Sequence, residues 1–406
     1  MATAAPVARQ RTAQNQQPSG QQGQRAVMPV PFTRAARRKS GQAYQDQYTL
    51  GASVVTARPI EIPASGFIRY VEMVFALTVA GNAATVAAPP ATSAFPWNLI
   101  ASIQVTNAAG DSITVPLSGY ELYLINKYGG TRTPPFCDPY NDPQFVAPTT
   151  GAATSAGSFV FRLLFPFEID QRDAFCALPN MASNKSYQMI IQWNSIATMW
   201  AGGTAPTVGP FTLALTVDQH YWSQPQPSNA EGIPQETEPG GNGSVSLFRR
   251  QGDTVSAGAR VMQLYNVGNV IRWGAIVLQS NAANNPRTDA DFPAISYFRL
   301  NNDQLFLKRI GAWRSEMRER YGYGAAGAAR DAAGLLDTGV YVLSDFLVQN
   351  DAVLPDGPRD QYLVTVDATL YQFEAAVFGA AAQLFTLLQN EIKPNSAAAL
   401  YSLNIV

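Results

Sequence analysis

The chain has 406 residues, 46% of them hydrophobic and only 14% charged, with a formal net charge of −1. That length holds two cores of ordinary domain size, and a surface covered mostly by Ser, Thr, Asn, Gln, Gly and Ala suits packing against neighbours better than life as a free enzyme. The two cysteines, Cys137 and Cys176, are too few for a disulfide framework or a Cys-based zinc site and are expected to be reduced, inert thiols; no stretch reaches the ~20 apolar residues that span a bilayer.

Charge is concentrated at the start. Residues 1–45 carry Arg9, Arg11, Arg25, Arg34, Arg37, Arg38 and Lys39 and no acid, so of 28 basic and 29 acidic residues the rest of the chain holds 21 and 29. Rich in Gln, Ala and Pro and poor in anything to bury, this arm is expected to be disordered until it meets a partner: acidic lipid headgroups, nucleic acid, or the acidic body of a neighbouring copy. The cluster Arg37-Arg38-Lys39 is too short to identify a nucleic-acid binder. The opening MATAAPVARQRTAQ has no apolar segment of the kind that directs secretion, so the chain is expected to be made and used without it.

From residue 46 onward strand signals dominate. GFIRYVEMVFALTVA (66–80), NLIASIQV, SFVFRLLF, SYQMIIQW and FTLALTV are β-branched or aromatic runs bounded by Gly, Pro, Asn or Ser, the pattern of a sandwich or barrel. One helix interrupts them. Ser118 and Glu121 form a capping box, the stripe Leu117, Tyr120, Leu124, Tyr128 can lie on a sheet, and Gly129 offers a left-handed C-terminal cap. Residues 223–245 then carry four prolines and four glycines with Glu231, Glu236 and Glu238, which predicts a linker. Beyond it come NVIRWGAIVL, AISYFRL, VYVLSDFLV, QYLVTVDATL and QLFTLLQ, with a second helix over about 310–321.

The second set of elements repeats the first. Ile68-Arg69-Tyr70 returns as Ile271-Arg272-Trp273 and Phe95-Pro96 as Phe292-Pro293. The helical stripe returns as Ile310, Trp313, Met317, Tyr321 and Gly322, so Leu124 is expected to superpose on Met317. Leu178-Pro179-Asn180 returns as Leu354-Pro355-Asp356, and Phe211-Thr212-Leu213 as Phe385-Thr386-Leu387. The offset falls steadily from 203 to 174, as it should if the first copy carries extra loop residues. A repeat this long is a tandem domain duplication rather than a solenoid. The chain divides into a basic arm (1–45), a first β-domain (46–222), a linker (223–245) and a second β-domain with a C-terminal tail (246–406), each domain having about eight strands.

Catalytic chemistry is hard to assemble from these residues. His220 is the one histidine, so neither a histidine metal site nor a Ser-His-Asp triad can be built in both halves; a structural or surface role is expected for it. Gly322-Tyr323-Gly324-Ala325-Ala326-Gly327 matches the dinucleotide-binding spacing but follows a helix instead of a strand. No catalytic residue, cofactor or metal site is therefore assigned, and the protein is expected not to be an enzyme.

Two eight-stranded barrels, each with a helix, fused through a linker and preceded by a basic arm, resemble the double jelly-roll major capsid proteins of tectiviruses and their relatives. The most specific match is NLIASIQVTNAAGDSITVPLSGYEL (98–122): strand, Asn-Ala-Ala-Gly-Asp turn, second strand, capped helix. The second copy departs from it, with Pro293-Ala294-Ile295 where the first has Trp97-Asn98-Leu99. The resemblance implies a structural coat protein, in a bacteriophage-like virion, whose homotrimers present six nearly equivalent barrels to an icosahedral lattice. It further implies strands roughly normal to the shell, long loops outside, and the arm and C-terminus inside over an internal membrane. The implied partners are the protein itself as homotrimer and neighbouring capsomers, vertex or penton and minor capsid proteins, and membrane lipids, with no sequence-specific nucleic acid; assembly is expected in the host cytoplasm. The seven arm cations are the candidate contacts to membrane or neighbouring subunits. The competing reading is a receptor- or carbohydrate-binding jelly-roll spike with a shallow aromatic site, for which Trp200 and Trp222 are the candidates. A glycoside hydrolase on a β-sandwich is a third, lacking any identifiable acid pair.

Overall fold

The computed structural model describes residues 28–79, 94, 96–107, 109–129, 158–181, 186–199, 211–264, 268–280, 289–301, 303–321, 337–343, 362–366, 368–379 and 383–393. In the first half these form α1 (Phe32–Ala35), β1 (Arg38–Leu50), β2 (Val55–Thr56), β3 (Ile60–Ile62), β4 (Gly66–Val79), β5 (Ile100–Thr106), α2 (Gly119–Tyr128), β6 (Ser158–Pro166), β7 (Leu178–Asn180), β8 (Tyr187–Trp193) and β9 (Phe211–Trp222). The second half contributes β10 (Val245–Val255), β11 (Gly258–Leu264), β12 (Val270–Ser280), β13 (Ile295–Leu300), β14 (Asp303–Arg309), α3 (Ile310–Tyr321), β15 (Val340–Leu343), β16 (Leu363–Val364), β17 (Tyr371–Phe378) and β18 (Gln383–Lys393).

Each half is a sandwich of two antiparallel sheets. In the first, β1-β9-β4-β6, with β7 beside β4, faces β2-β8-β3, with β5 beside β8; in the second, β10-β18-β12-β15, with β16 beside β12, faces β11-β17-β13-β14. The alternation that builds these layers is clearest in β9, where Phe211, Leu213, Leu215 and Val217 are buried and the residues between them are half-buried. Inward rows from both sheets fill the core between them. Central β12 is buried along nine consecutive residues, because its second face is covered as well.

The duplication is confirmed by register. On β4 the pairing with β9 slips between Ile68 and Tyr70, and on β12 the pairing with β18 slips between Ile271 and Trp273. An arginine, Arg69 or Arg272, is thus the extra residue of a β-bulge in each copy. Both are buried, Arg69 against Glu168 at 2.8 Å and Arg272 against the Gly129 carbonyl at 2.7 Å.

The same register corrects three of the matched signatures. Leu178 pairs with Ile68 and Leu363 with Ile271, so β7 is answered by β16; residues 354–356 lie outside the described residues. Phe75 pairs with Leu215 and Leu278 with Phe385, which places Phe385 opposite Leu215 rather than Phe211. A shift of four keeps every side chain on its face, so pattern alone cannot detect it.

The helices slip by two residues relative to the matched stripe. Leu164 pairs with Glu72 and Val342 with Ala275, so the two backbone positions are equivalent. Asn126 of α2 both donates to the Leu164 carbonyl and accepts from its N–H, each at 2.7 Å. In the second copy Trp313 Nε1 donates to the Val342 carbonyl at 2.7 Å and the Val342 N–H donates to Met317 Sδ at 3.4 Å. Each helix thereby satisfies the outer backbone groups of an edge strand, β6 or β15, that would otherwise be buried without partners. Met317 corresponds to Asn126, not to Leu124.

The α2 capping box is present, with Ser118 and Glu121 exchanging side-chain and backbone hydrogen bonds at 2.8 and 3.2 Å. Gly129 is not left-handed: its φ is −77° and its N–H closes onto Ile125. It is held to glycine by space, since a Cβ there would overlap the Ile125 carbonyl oxygen. Every residue of α2 is buried, Glu121, Asn126 and Lys127 included, because the second barrel covers the side that the first leaves open.

The arm and linker boundaries also shift. Strand β1 begins at Arg38 and pairs with β9 over Arg38↔Trp222 to Leu50↔Phe211, so residues 38–45 belong to the barrel. Before it, the chain packs onto the linker: Val30 and Gln235 form a parallel bridge, the Phe32 N–H donates to Glu236 Oε2 at 2.9 Å, and Arg37 and Ser223 exchange hydrogen bonds. Phe32 is buried against Phe67, Trp222, Ala174 and Ala177. Residues 28–37 thus clasp a linker whose composition alone suggested a loose tether.

Candidate functional site

Two features stand out, a basic segment at the start of the described chain and a polar joint between the barrels. Of the seven arm cations, Arg9, Arg11 and Arg25 lie outside the described residues. Arg34, Arg37, Arg38 and Lys39 are exposed within six residues of one another, on the clasp and the first two positions of β1. The structure therefore brings four of the seven together on a fixed segment.

What fixes that segment is a buried network on Trp222. Its indole N–H donates to Glu168 Oε1 at 2.6 Å, Arg69 donates to Glu168 Oε2 at 2.8 Å, and the Arg38 and Arg69 guanidiniums lie 4.7 and 5.1 Å from the ring centroid. Burial pushes the Glu168 carboxyl above the usual carboxylate range, against the pull of Arg69 and Trp222. The network holds its ion pair away from solvent, where breaking one partner costs far more than the pair contributes. Trp222 is 2% exposed, which removes it from the shallow aromatic surface considered above; Trp200 lies outside the described residues.

The joint is built from α2 and the strands of the second half. Lys127 Nζ lies 2.7 Å from Asp337 Oδ2 and 3.0 Å from Tyr123 Oη, while Tyr128 Oη donates to the same Asp337 oxygen at 2.5 Å. Burial, then the Asp337 charge, pushes the Tyr128 phenol well above its ordinary value, so it stays a donor. Tyr128 also meets Tyr321 edge-to-face at 5.2 Å. At the other end of α2, Arg250 of β10 lies 2.7 Å from Glu121, and Phe248 of β10 meets Phe165 of β6 edge-to-face at 6.3 Å. The joint therefore sets the β6 edge and helix of one barrel against the first strand of the other. Sequence reading missed it. The one available signal was charge inside the helix: Glu121 and Lys127 flank an apolar stripe that needed a polar partner somewhere.

Chemistry of other kinds finds little to work with. His220 stacks on Tyr70 at 4.3 Å and lies 3.1 Å from Glu72, itself near Arg162, an arrangement that packs the outer face of the β1-β9-β4-β6 sheet. Among the described residues no group of three His, Cys, Asp or Glu is placed to hold a metal ion, and no helix is long and apolar enough to cross a membrane. Cys176 is buried; Cys137 and residues 322–327 lie outside the described residues.

No family model and no curated protein sequence matches the chain. Solved structures do. A chain of the atomic structure of Sulfolobus Turreted Icosahedral Virus is similar at a TM-score of 0.58 and 12% identity, covering 90% of this chain and 95% of that one. The crystal structure of the STIV MCP is similar at 0.56 and 11%, covering 87% and 96%. The quasi-atomic model of the PBCV-1 virus capsid is similar at 0.56 and 13%, covering 88% and 93%. These likenesses run through both barrels, and the fold is the double jelly roll.

Proposed function

We propose that this chain is the major capsid protein of an icosahedral virus, a structural protein rather than an enzyme, working as a homotrimer that forms pseudo-hexagonal capsomers. The observation that carries the reading is end-to-end likeness: about nine tenths of the chain matches, at TM-scores of 0.56 to 0.58, chains from virus structures, with nearly the whole of those chains matched in return. The fused barrels supply a physical reason. Three chains with two similar barrels each present six similar edges, which a six-coordinated lattice position requires. The low charge of the body suits a surface that is mostly covered by neighbours.

In this reading the folded body consists of a clasp and first jelly roll, the linker, and the second jelly roll, preceded by residues 1–27. Arg9, Arg11, Arg25, Arg34, Arg37, Arg38 and Lys39 face the inside of the shell and meet an internal membrane or neighbouring subunits. Exposed cations near an anionic bilayer contribute about 1 kcal/mol each. Vertex and minor capsid proteins complete the partners, and the shell assembles in the host cytoplasm. The spike reading is weakened by the burial of Trp222.

Negative-stain imaging of the purified protein tests the proposal. Flat particles of hexagonal outline are expected, and elongated single molecules or dimers would count against it.

A further inference from the structure

Lys127 is a primary amine held against a carboxyl group away from solvent. Its side chain is 3% exposed and that of Asp337 4%, with Nζ 2.7 Å from Oδ2. A nitrogen hydrogen-bonded to a carboxylate oxygen also lies close to the carboxyl carbon, near the separation of about 3–3.5 Å from which such groups react. A lysine amine can give up its proton in a buried site and become a nucleophile, whereas a guanidinium stays charged. Because Met317 corresponds to Asn126, the residues of α3 equivalent to Tyr123 and Lys127 are Arg314 and Arg318. The helix position therefore does not itself demand an amine, and the amine stands only in the helix that faces both barrels.

Two tyrosines complete the arrangement. Tyr123 Oη accepts from Lys127 Nζ at 3.0 Å and donates to Asp337 Oδ1 at 3.3 Å, so one hydroxyl touches both the amine and the carboxyl and can pass a proton between them. Tyr128 Oη donates to Asp337 Oδ2 at 2.5 Å and accepts from the Asp337 N–H at 3.2 Å, which aims a proton at one carboxyl oxygen. Burial, then the Asp337 charge, holds the Tyr128 phenol well above its ordinary value, so that proton is in place. Nucleophile, acyl carbon, proton relay and acid thus meet at one point between the barrels.

We propose that the joint is a self-forming cross-link, in which Lys127 and Asp337 condense after folding to an isopeptide bond between the two barrels. The ion pair is the state from which the reaction starts. A proton passes from Nζ through Tyr123 Oη to the carboxylate, giving a neutral amine and a neutral acid that need no charge solvation. The Nζ electron pair then forms the Nζ–Cγ bond, and the Cγ–Oδ2 bond breaks with its electron pair leaving on oxygen. Of the three ammonium hydrogens, one stays on the amide and two leave with Oδ2 as water; the tyrosines relay these protons and end protonated as they began. No oxidant or further reactant enters. The bond closes a loop between residues 210 positions apart, so it holds the barrels together even in denaturant and restricts the unfolded chain.

Mass spectrometry of the denatured full chain tests this. Wild-type protein is expected to become lighter by the mass of one water molecule with time spent folded, and digestion should then release a branched peptide carrying both Lys127 and Asp337. Lys127→Arg keeps the charge but not the nucleophile, and should show the wild-type circular dichroism spectrum with no loss of water. Tyr123→Phe removes the relay and should slow the loss by about 100-fold. Wild-type protein that keeps its full mass and yields no branched peptide after weeks in the folded state would overturn the proposal, whether or not the variants fold. Loss of water that persists in Lys127→Arg would place the reaction elsewhere in the chain and overturn it equally. Neither result bears on the capsid reading, which rests on the fold.

Discussion

Lys127 reaches from the first barrel to within 2.7 Å of Asp337 in the second, and neither side chain is more than 4% exposed. The two residues lie 210 positions apart. Desolvating both charges makes the pair a poor source of net stability but an expensive one to break. Lys127→Met should leave Asp337 charged and short of a partner, destabilising the chain by about 3–5 kcal/mol. Lys127→Met combined with Asp337→Leu should recover part of that loss, since the buried charge is gone while the Tyr123 and Tyr128 hydroxyls lose their acceptor. Denaturant unfolding of the two variants checks this, and equal losses in both would show that the pair is not coupled.

Asn126 serves an edge strand in the way a neighbouring strand would. Asn126→Leu keeps the branched shape but strands the N–H and C=O of Leu164, at about 1–3 kcal/mol for each buried group. Hydrogen exchange should then accelerate at Leu164 more than at Leu215 on the central strand β9. Uniform acceleration across the barrel would mean that the contact is only packing.

The clasp separates two deletions. Removing residues 1–27 should leave the melting temperature unchanged, whereas removing residues 1–40 also takes out Phe32 and the start of β1. Loss of a buried Phe costs about 3–5 kcal/mol, so the longer deletion should melt several degrees lower. Equal melting of the two deletions would mean that Phe32 contributes nothing. An arm boundary drawn from charge alone, at residue 45, predicts no effect from either, because it treats 38–45 as tail.

The arm's contribution should be electrostatic. Full-length protein should bind vesicles containing anionic lipid better than the 1–27 deletion does, and the difference should vanish in high salt, where attraction is screened over about 3 Å at 1 M. Binding that is independent of both salt and deletion would assign the arm to protein contacts.

How far the sequence carried depended on burial. Strands β4, β5, β6, β8 and β9 announce themselves because their faces are apolar, and α2 because Ser118, Glu121 and Gly129 mark its ends. Strands β1 and β10 do not, since edge strands with exposed side chains, such as Arg38 to Gln47, carry polar residues that read as arm or linker. The duplication was legible at Ile68 and Ile271, where a buried bulge constrains both copies. It slipped at Phe211, where an even shift keeps every side chain on its face, and at the helical stripe, because α2 is buried on all sides and its apolar stripe does not mark the side turned to its own barrel. At the joint, charge inside the helix at Lys127 signalled a partner, but not that the partner is Asp337, because a salt bridge across barrels leaves no local spacing.

Three copies of this double barrel are expected to build one capsomer, and native mass spectrometry of the full chain counts them. A dominant species of three chains at low micromolar concentration, with no cofactor mass attached, is the predicted result. A monomer under the same conditions, with both barrels folded by circular dichroism, would contradict it.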